Sequence, residues 1–333
     1  MKTKTILSKM TAVSRTKSDW RWRDEVIKVS GESITIDDVL TATWRTSSDR
    51  SEDFKEEKDT LFASIPTQTL TEAMMKKGFG LLIQCGRPGM AERAIALAET
   101  SGRGKDVRVM RIGGEVTYNI VEALEEKGPE AVALGLKLIS KSGEPDWQPA
   151  DEHLVNIVSL FILAGENVDI AKLSLALNDI AIHKKLLQAA GDAIPAGSPD
   201  EHTVLMLCHY FLKQWVGMGE KTKECVINDV TLILNPFCTG YMRDLFCKCS
   251  TFDPMELRNG TILIVDIPCD GYKGTIAGRA MKYMARKMIE KTRADKATRP
   301  VVILHVDVAS REDIEFARIS HSMKGGILKI TDI

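Results

Sequence analysis

The sequence predicts an α/β protein, built on a mostly parallel sheet and interrupted by a block that is helical throughout. Three observations carry this. Two apolar runs, 261–268 and 299–307, each lead to an aspartate and enclose a long amphipathic segment, as in a βαβ unit. The stretch 81–112 reads strand, helix, strand, which argues for parallel pairing through crossovers. Residues 119–229 carry apolar side chains at helical spacing with little β-branched alternation.

Taken in order, the first thirty residues are polar, with Trp20 and Trp22 in a charged cluster, and read as an arm or edge element. Val39-Leu40-Thr41-Ala42-Thr43 is a short strand, followed by the breaker-rich Arg45–Ser51. A polar helix with Phe54, Leu61 and Phe62 on one stripe comes next, and Pro66 ends it. Thr71 to Lys77 is helical in composition; Leu81 to Cys85 is a buried strand; Met90 to Thr100 is an Ala- and Leu-rich helix stopped by Gly102. Val107 to Ile112 alternates as a strand should. Helical segments follow at 119–126, 130–140, 151–164, 169–178, 179–190 and 200–216. Strands resume at Thr261, and Gly326 to Thr331 is the last, at an edge that a partner or a longer chain would complete.

Composition excludes some classes. The 333 residues are 44% hydrophobic and 27% charged, ordinary for a globular protein, and the formal charge of −1 supplies no global field for nucleic acid. The longest apolar run, Leu154 to Ala164, falls short of the roughly 18 residues of a membrane span. With no leader-like start, the expectation is a cytoplasmic protein. Seven scattered cysteines fit reduced thiols. Cys238, Cys247 and Cys249 lack the paired spacing of structural zinc sites.

Ligands of open parallel sheets bind beyond the carboxyl ends of the strands, so Asp307 reads as a Walker B aspartate able to hold hydrated Mg²⁺. Acids also end strands merely to suit the next turn or cap. Gly102-Arg103-Gly104-Lys105 follows a helix and reads as an exposed C-cap turn. Gly271-Tyr272-Lys273-Gly274-Thr275 stands between strand and helix, either as a plain turn or as an anion site. The basic run Lys282, Arg286, Lys287, Lys291, Arg293, Lys296 and Arg299 surrounds a helix with Met281, Met284, Met288 and Ile289 on its apolar side. It reads as a solvated face or, more sharply, as a contact for DNA backbone.

Several of these pieces together resemble the TraG/TraD-type coupling proteins of conjugation and type IV secretion. They are the run Gly80 to Gly89, then Ala91-Glu92-Arg93, Gly102-Arg103, Asp106-Val107 and Tyr118-Asn119. Farther on come Met242 to Cys247, Phe252-Asp253-Pro254, Leu257, Gly260 to Pro268, Arg299-Pro300, the Asp307 strand and Glu315-Phe316. The resemblance spans about residues 39–333. It implies a RecA-like P-loop-ATPase-type domain in two segments, 31–118 and 236–333, with an all-α domain inserted at 119–235 and the polar arm at 1–30. It also implies ATP and Mg²⁺ as cofactors and DNA or relaxosome proteins as partners. Assembly would be as a homo-oligomer of hexameric type or with active relatives, peripheral to a secretion channel at the inner membrane.

The nucleotide motifs depart from that pattern. No GxxxxGK[ST] occurs; the matching octet Trp44–Ser51 offers Arg50 in the lysine place and keeps Ser51, but Trp44 and Asp49 stand where glycine is needed. Val308 occupies the catalytic glutamate position, Ser310 that of a usual glutamine, His321 falls near the arginine-finger place, and Asp332 replaces a terminal glutamine. The expectation is a coupling-protein-like chain with little or no ATP turnover. The competing expectations are a non-enzymatic module recruiting partners through its helical insertion, and an unrelated enzyme holding a metal between Asp266, Asp270 and Asp307.

Overall fold

The computed structural model describes residues 26–29, 32–35, 67–125, 127–140, 148–267, 271–291, 299–306, 313, 316, 323, 325–330 and 333. Residues 26–29, expected to belong to a polar arm, form β1 (Val26–Val29), which pairs antiparallel with β2 (Glu32–Thr35) and lies against α1 (Thr67–Lys76). The expected Val39–Thr43 strand and the helix around Phe54 lie outside the described residues.

The main sheet contains β3 (Gly80–Gln84), β4 (Val107–Arg111), β5 (Ile262–Asp266), β6 (Val301–His305) and β7 (Gly325–Lys329), in the order β4-β5-β3-β6-β7. Every pairing is parallel, so the expected parallel α/β sheet is present. Both faces of β3, β5 and β6 are buried, as the interior of such a sheet requires, whereas β4 at the edge is partly exposed. Leu81, Ile83, Ile262, Ile264, Val302 and Leu304 pack on one face against α1 and α2 (Met90–Thr100), through Met74, Met75, Met90, Ala94 and Leu97. Leu82, Met110, Leu263, Val265, Val301 and Ile303 form the other face.

That second face carries α11 and the helical block. The block comprises α3 (Ile120–Glu125), α4 (Pro129–Ser140), α5 (Pro149–Leu163), α6 (Ile170–Ala176), α7 (Ile180–Ala193), α8 (Pro199–His209), α9 (Glu220–Cys238) and α10 (Tyr241–Phe246). α9 runs on to Cys238, past residue 236 where the second RecA-like segment is expected to begin. Pro236 costs α9 one backbone bond in its last turn without ending it. The 20-residue α11 (Tyr272–Lys291) connects β5 to β6. No helix among the described residues is long and apolar enough to cross a membrane.

The block shares one continuous apolar core with the sheet. Leu136, Ile157 and Phe237 of the block, Met281 and Met288 of α11, and Leu263 and Ile303 of the sheet belong to the same buried cluster. Each such aliphatic side chain contributes about 1.5–3 kcal/mol by leaving water. α4 meets α11 at Gly135, where a Cβ would stand 2.6 Å from Leu124 Cδ1 and 3.2 Å from Tyr283 Oη. Within the block, the Asp151 carboxylate accepts from Gln148 N (2.8 Å) and from Lys137 Nζ (2.6 Å), capping α5 and tying it to α4.

A π-helical segment, Tyr210–Trp215, continues α8 and brings Tyr210, Phe211 and Trp215 to two buried histidines. His153 stacks on Trp215 with centroids 3.8 Å apart, and His183 lies 4.3 Å from Phe211. A carbonyl can only accept, so His153 Nε2–H donates to Leu177 O (2.8 Å), leaving Nδ1 to accept from Tyr210 Oη (2.9 Å). His183 Nε2–H likewise donates to Ala176 O (2.5 Å). Burial, the dominant cause, lowers His153 from 6.5 to about 4 and lowers His183 as well.

A histidine whose folded pKa lies below its unfolded value stabilises fully above the unfolded pKa and loses that contribution as pH falls toward the folded one. Unfolding stability is therefore expected to drop between pH 6.5 and about 4. Urea titrations of His153→Gln should show about 1 kcal/mol less stability at pH 7 but a flatter decline across that interval. An unchanged slope would remove His153 as its source.

Candidate functional site at the carboxyl end of the sheet

β3 leads into α2 on one face, whereas β5 leads into α11 and β4 into the helical block on the other. The divergence of these connections between β3 and β5 marks the strand ends at which open α/β sheets bind ligands. The turn Gly86-Arg87-Pro88-Gly89 follows β3 there, with Arg87 exposed. Cys85 N donates to Val265 O at 2.9 Å, holding the tips of β3 and β5 together. A Cβ on Gly86 would stand 2.7 Å from Val306 Cγ2, so the ends of β3 and β6 touch. Asp307 follows Val306 directly but lies outside the described residues, as do Arg50, Ser51, Asp270, Val308, Ser310, His321 and Asp332.

Asp266 is the last residue of β5 and faces Arg111, its register partner at the end of β4. Arg111 Nε and Asp266 Oδ2 are 3.9 Å apart with both side chains partly exposed, a pair worth at most about 1 kcal/mol. Gly271-Tyr272-Lys273-Gly274-Thr275 does stand at the start of a helix, and two of its side chains have local partners. Lys273 Nζ donates to Thr239 Oγ1 (2.8 Å), and Thr275 Oγ1 donates back to Gly271 O (3.1 Å). No hydrolytic step is assigned to the described residues at this end.

The basic helix departs from the expectation of a solvated face. Lys282 is 3% exposed, and its Nζ lies 2.9 Å from Asp313 Oδ2, while Arg286 NH1 lies 3.3 Å from Asp313 Oδ1. α11 is enclosed by the sheet on one side and α4 on the other, which turns these cations inward. Lys287 remains partly exposed, paired with Glu290 (2.8 Å) and 5.6 Å from the Tyr283 ring centre. Lys291 and Arg299 are exposed, and Arg293 and Lys296 lie outside the described residues. Contact of Lys282 with a DNA phosphate would require the Asp313 pair to open.

Cys238 and Cys247 are half-buried thiols that donate to Leu234 O and Phe237 O, and Cys249 is exposed. Burial pushes the Cys247 thiol up to about 12 and raises Cys238 too. Among the described residues no group of three or more His, Cys, Asp or Glu side chains is placed to hold a metal.

The sequence reading missed the Lys282–Asp313–Arg286 cluster. The signal was present in the small residues Gly274, Ala277, Gly278, Ala280 and Ala285, which mark α11 as close-packed over more than one stripe. Asp313→Ala removes the carboxylate shared by both cations and is expected to destabilise the chain by about 3–5 kcal/mol, measured by denaturant unfolding. A loss below about 1 kcal/mol, the range of surface pairs, would show that the cluster is solvated. No known protein-family model matches this sequence, and no characterised protein is detectably similar to it.

Proposed function

We propose that this chain is a coupling-protein-like component of conjugative DNA transfer or type IV secretion, related in its RecA-like design to DNA-translocating ATPases but deficient in ATP hydrolysis. The observation that carries the reading is the arrangement itself: a parallel sheet with a helical block spliced between β4 and β5 and a buried strand, β6, running directly toward Asp307. It agrees with the order of elements that the motif resemblance implies. Asp307 would hold Mg²⁺ with any bound nucleotide, and Arg50 and Ser51 would be the residual phosphate contacts. Val308 can neither orient nor deprotonate water, which argues against turnover. DNA or relaxosome proteins are the proposed partners, engaged by an oligomer of this chain or by a mixed one with active relatives at the inner membrane.

A second reading, that of a recruiting module without nucleotide chemistry, is favoured by the exposed apolar side chains Leu205, Met206, Leu212 and Val216 on α8 and its π-helical extension. Because the block shares its core with the sheet, the whole chain is the right material for a test. Mg·ATP calorimetry and turnover assays on the full chain are expected to show no hydrolysis above background, alongside retention of a relaxosome–DNA complex. Hydrolysis abolished by Asp307→Ala would overturn the deficiency. Failure to retain either DNA or relaxosome protein would overturn the coupling role.

A further inference from the structure

The opposite, amino end of the sheet holds a second arrangement that the reading above does not use. Four adjacent strands are entered there by Arg103 (before β4), Gly260 (before β5), Gly78 (before β3) and Arg299 (before β6). The two arginines therefore flank two glycines, and both reach inward over them. Gly78 (φ 81°) and Gly260 (φ 99°) have left-handed backbones and leave the space in which the guanidiniums lie. A Cβ on Gly260 would stand 2.6 Å from Arg299 NH1 and 3.2 Å from Arg103 NH2; on Gly78 it would stand 3.0 Å from Arg299 NH1 and 3.9 Å from Arg103 NH1.

Two guanidiniums thus converge on one spot. Arg103 is held rigidly: NH1 donates to Met75 O (2.7 Å), NH2 to Gly260 O, and Nε to the Asp106 carboxylate. Arg299 NH1 donates to Gly78 O (3.1 Å), and the residue is exposed. Arg258 beneath them is spent on carbonyl oxygens, including Arg299 O (3.1 Å), which fixes the backbone that carries Arg299. The Asp106 carboxylate pairs with Arg103, and Lys105 is exposed beside Arg103 in the chain. A preorganised, partly desolvated arginine pair with surplus positive charge matches a tetrahedral dianion, which accepts charge-assisted bonds from both forks.

We infer that Arg103 and Arg299, converging over Gly78 and Gly260, form a binding site for a phosphate group at the amino end of the sheet. The site is independent of any nucleotide at the carboxyl end. Calorimetric titration of the full chain with inorganic phosphate, at constant ionic strength against chloride, should show saturable binding at one site. Arg299→Gln gives up a single hydrogen bond to protein, so its melting temperature in phosphate-free buffer should be unchanged while its phosphate affinity falls about tenfold or more. Arg299→Lys should recover part of that loss, because the charge returns without the fork. Competition by a single-stranded oligonucleotide would identify a nucleic-acid backbone as the source of the phosphate, and failure to compete would identify the free ion. Absence of binding by the wild-type chain, or equal binding by Arg299→Gln, overturns the site.

Discussion

The enclosure of α11 is the constraint on which the remaining architecture rests. A helix between a sheet and a helical block has little surface left for water, so Ala277, Ala280, Ala285 and Gly278 let its neighbours approach, and Gly135 of α4 does the same from the other side. The cations that its sequence places on the polar side must then be neutralised inside, which the Asp313 carboxylate does for Lys282 and Arg286. Such a pair adds little net stability over apolar residues of the same shape, yet removing one partner leaves a charge stranded. The cluster therefore specifies how the segment carrying Asp313 sits on α11 more than it strengthens the fold.

The two ends of the sheet differ in kind. At the carboxyl end, Asp266 and Arg111 form a loose pair in partial contact with water, and Lys273 and Thr275 are committed to local partners. At the amino end, the loops entering four neighbouring strands bring arginines over bare glycine backbone, with Arg258 fixing the loop from beneath. Strand-end acids are conspicuous in a sequence because they follow an apolar run. Arg103 and Arg299 are not, because nothing in the chain order says that they flank the same two strands.

What could be read in advance follows that distinction. Met90–Thr100 was legible to the residue, because helix-forming composition and a Gly102 stop agree. The helices of the block were legible from spacing, although nothing local announces that α9 runs on through Pro236 to Cys238. The histidine cluster was not legible, since His153, His183 and Trp215 come from three segments joined by a π-helical turn that no local pattern announces. Lys282 was misread because amphipathicity reports one buried stripe, whereas α11 is covered on two sides. The candidate nucleotide residues, from Arg50 to His321, remain expectations drawn from motif position.

The strand order also bears on how the chain comes together. β3 pairs with β5 and β6, and β4 pairs with β5, yet β3 and β4 do not touch each other. On a ribosome, both early strands emerge without any parallel partner, and about 150 residues, most of them helical, follow before β5 arrives. The contacts of the helices are nearer in sequence than the strand pairings, which favours their forming first. β5 then enters between β3 and β4 and gives each its first parallel partner, and the sheet is complete only once β6 and β7, later in the chain, have added beyond β3.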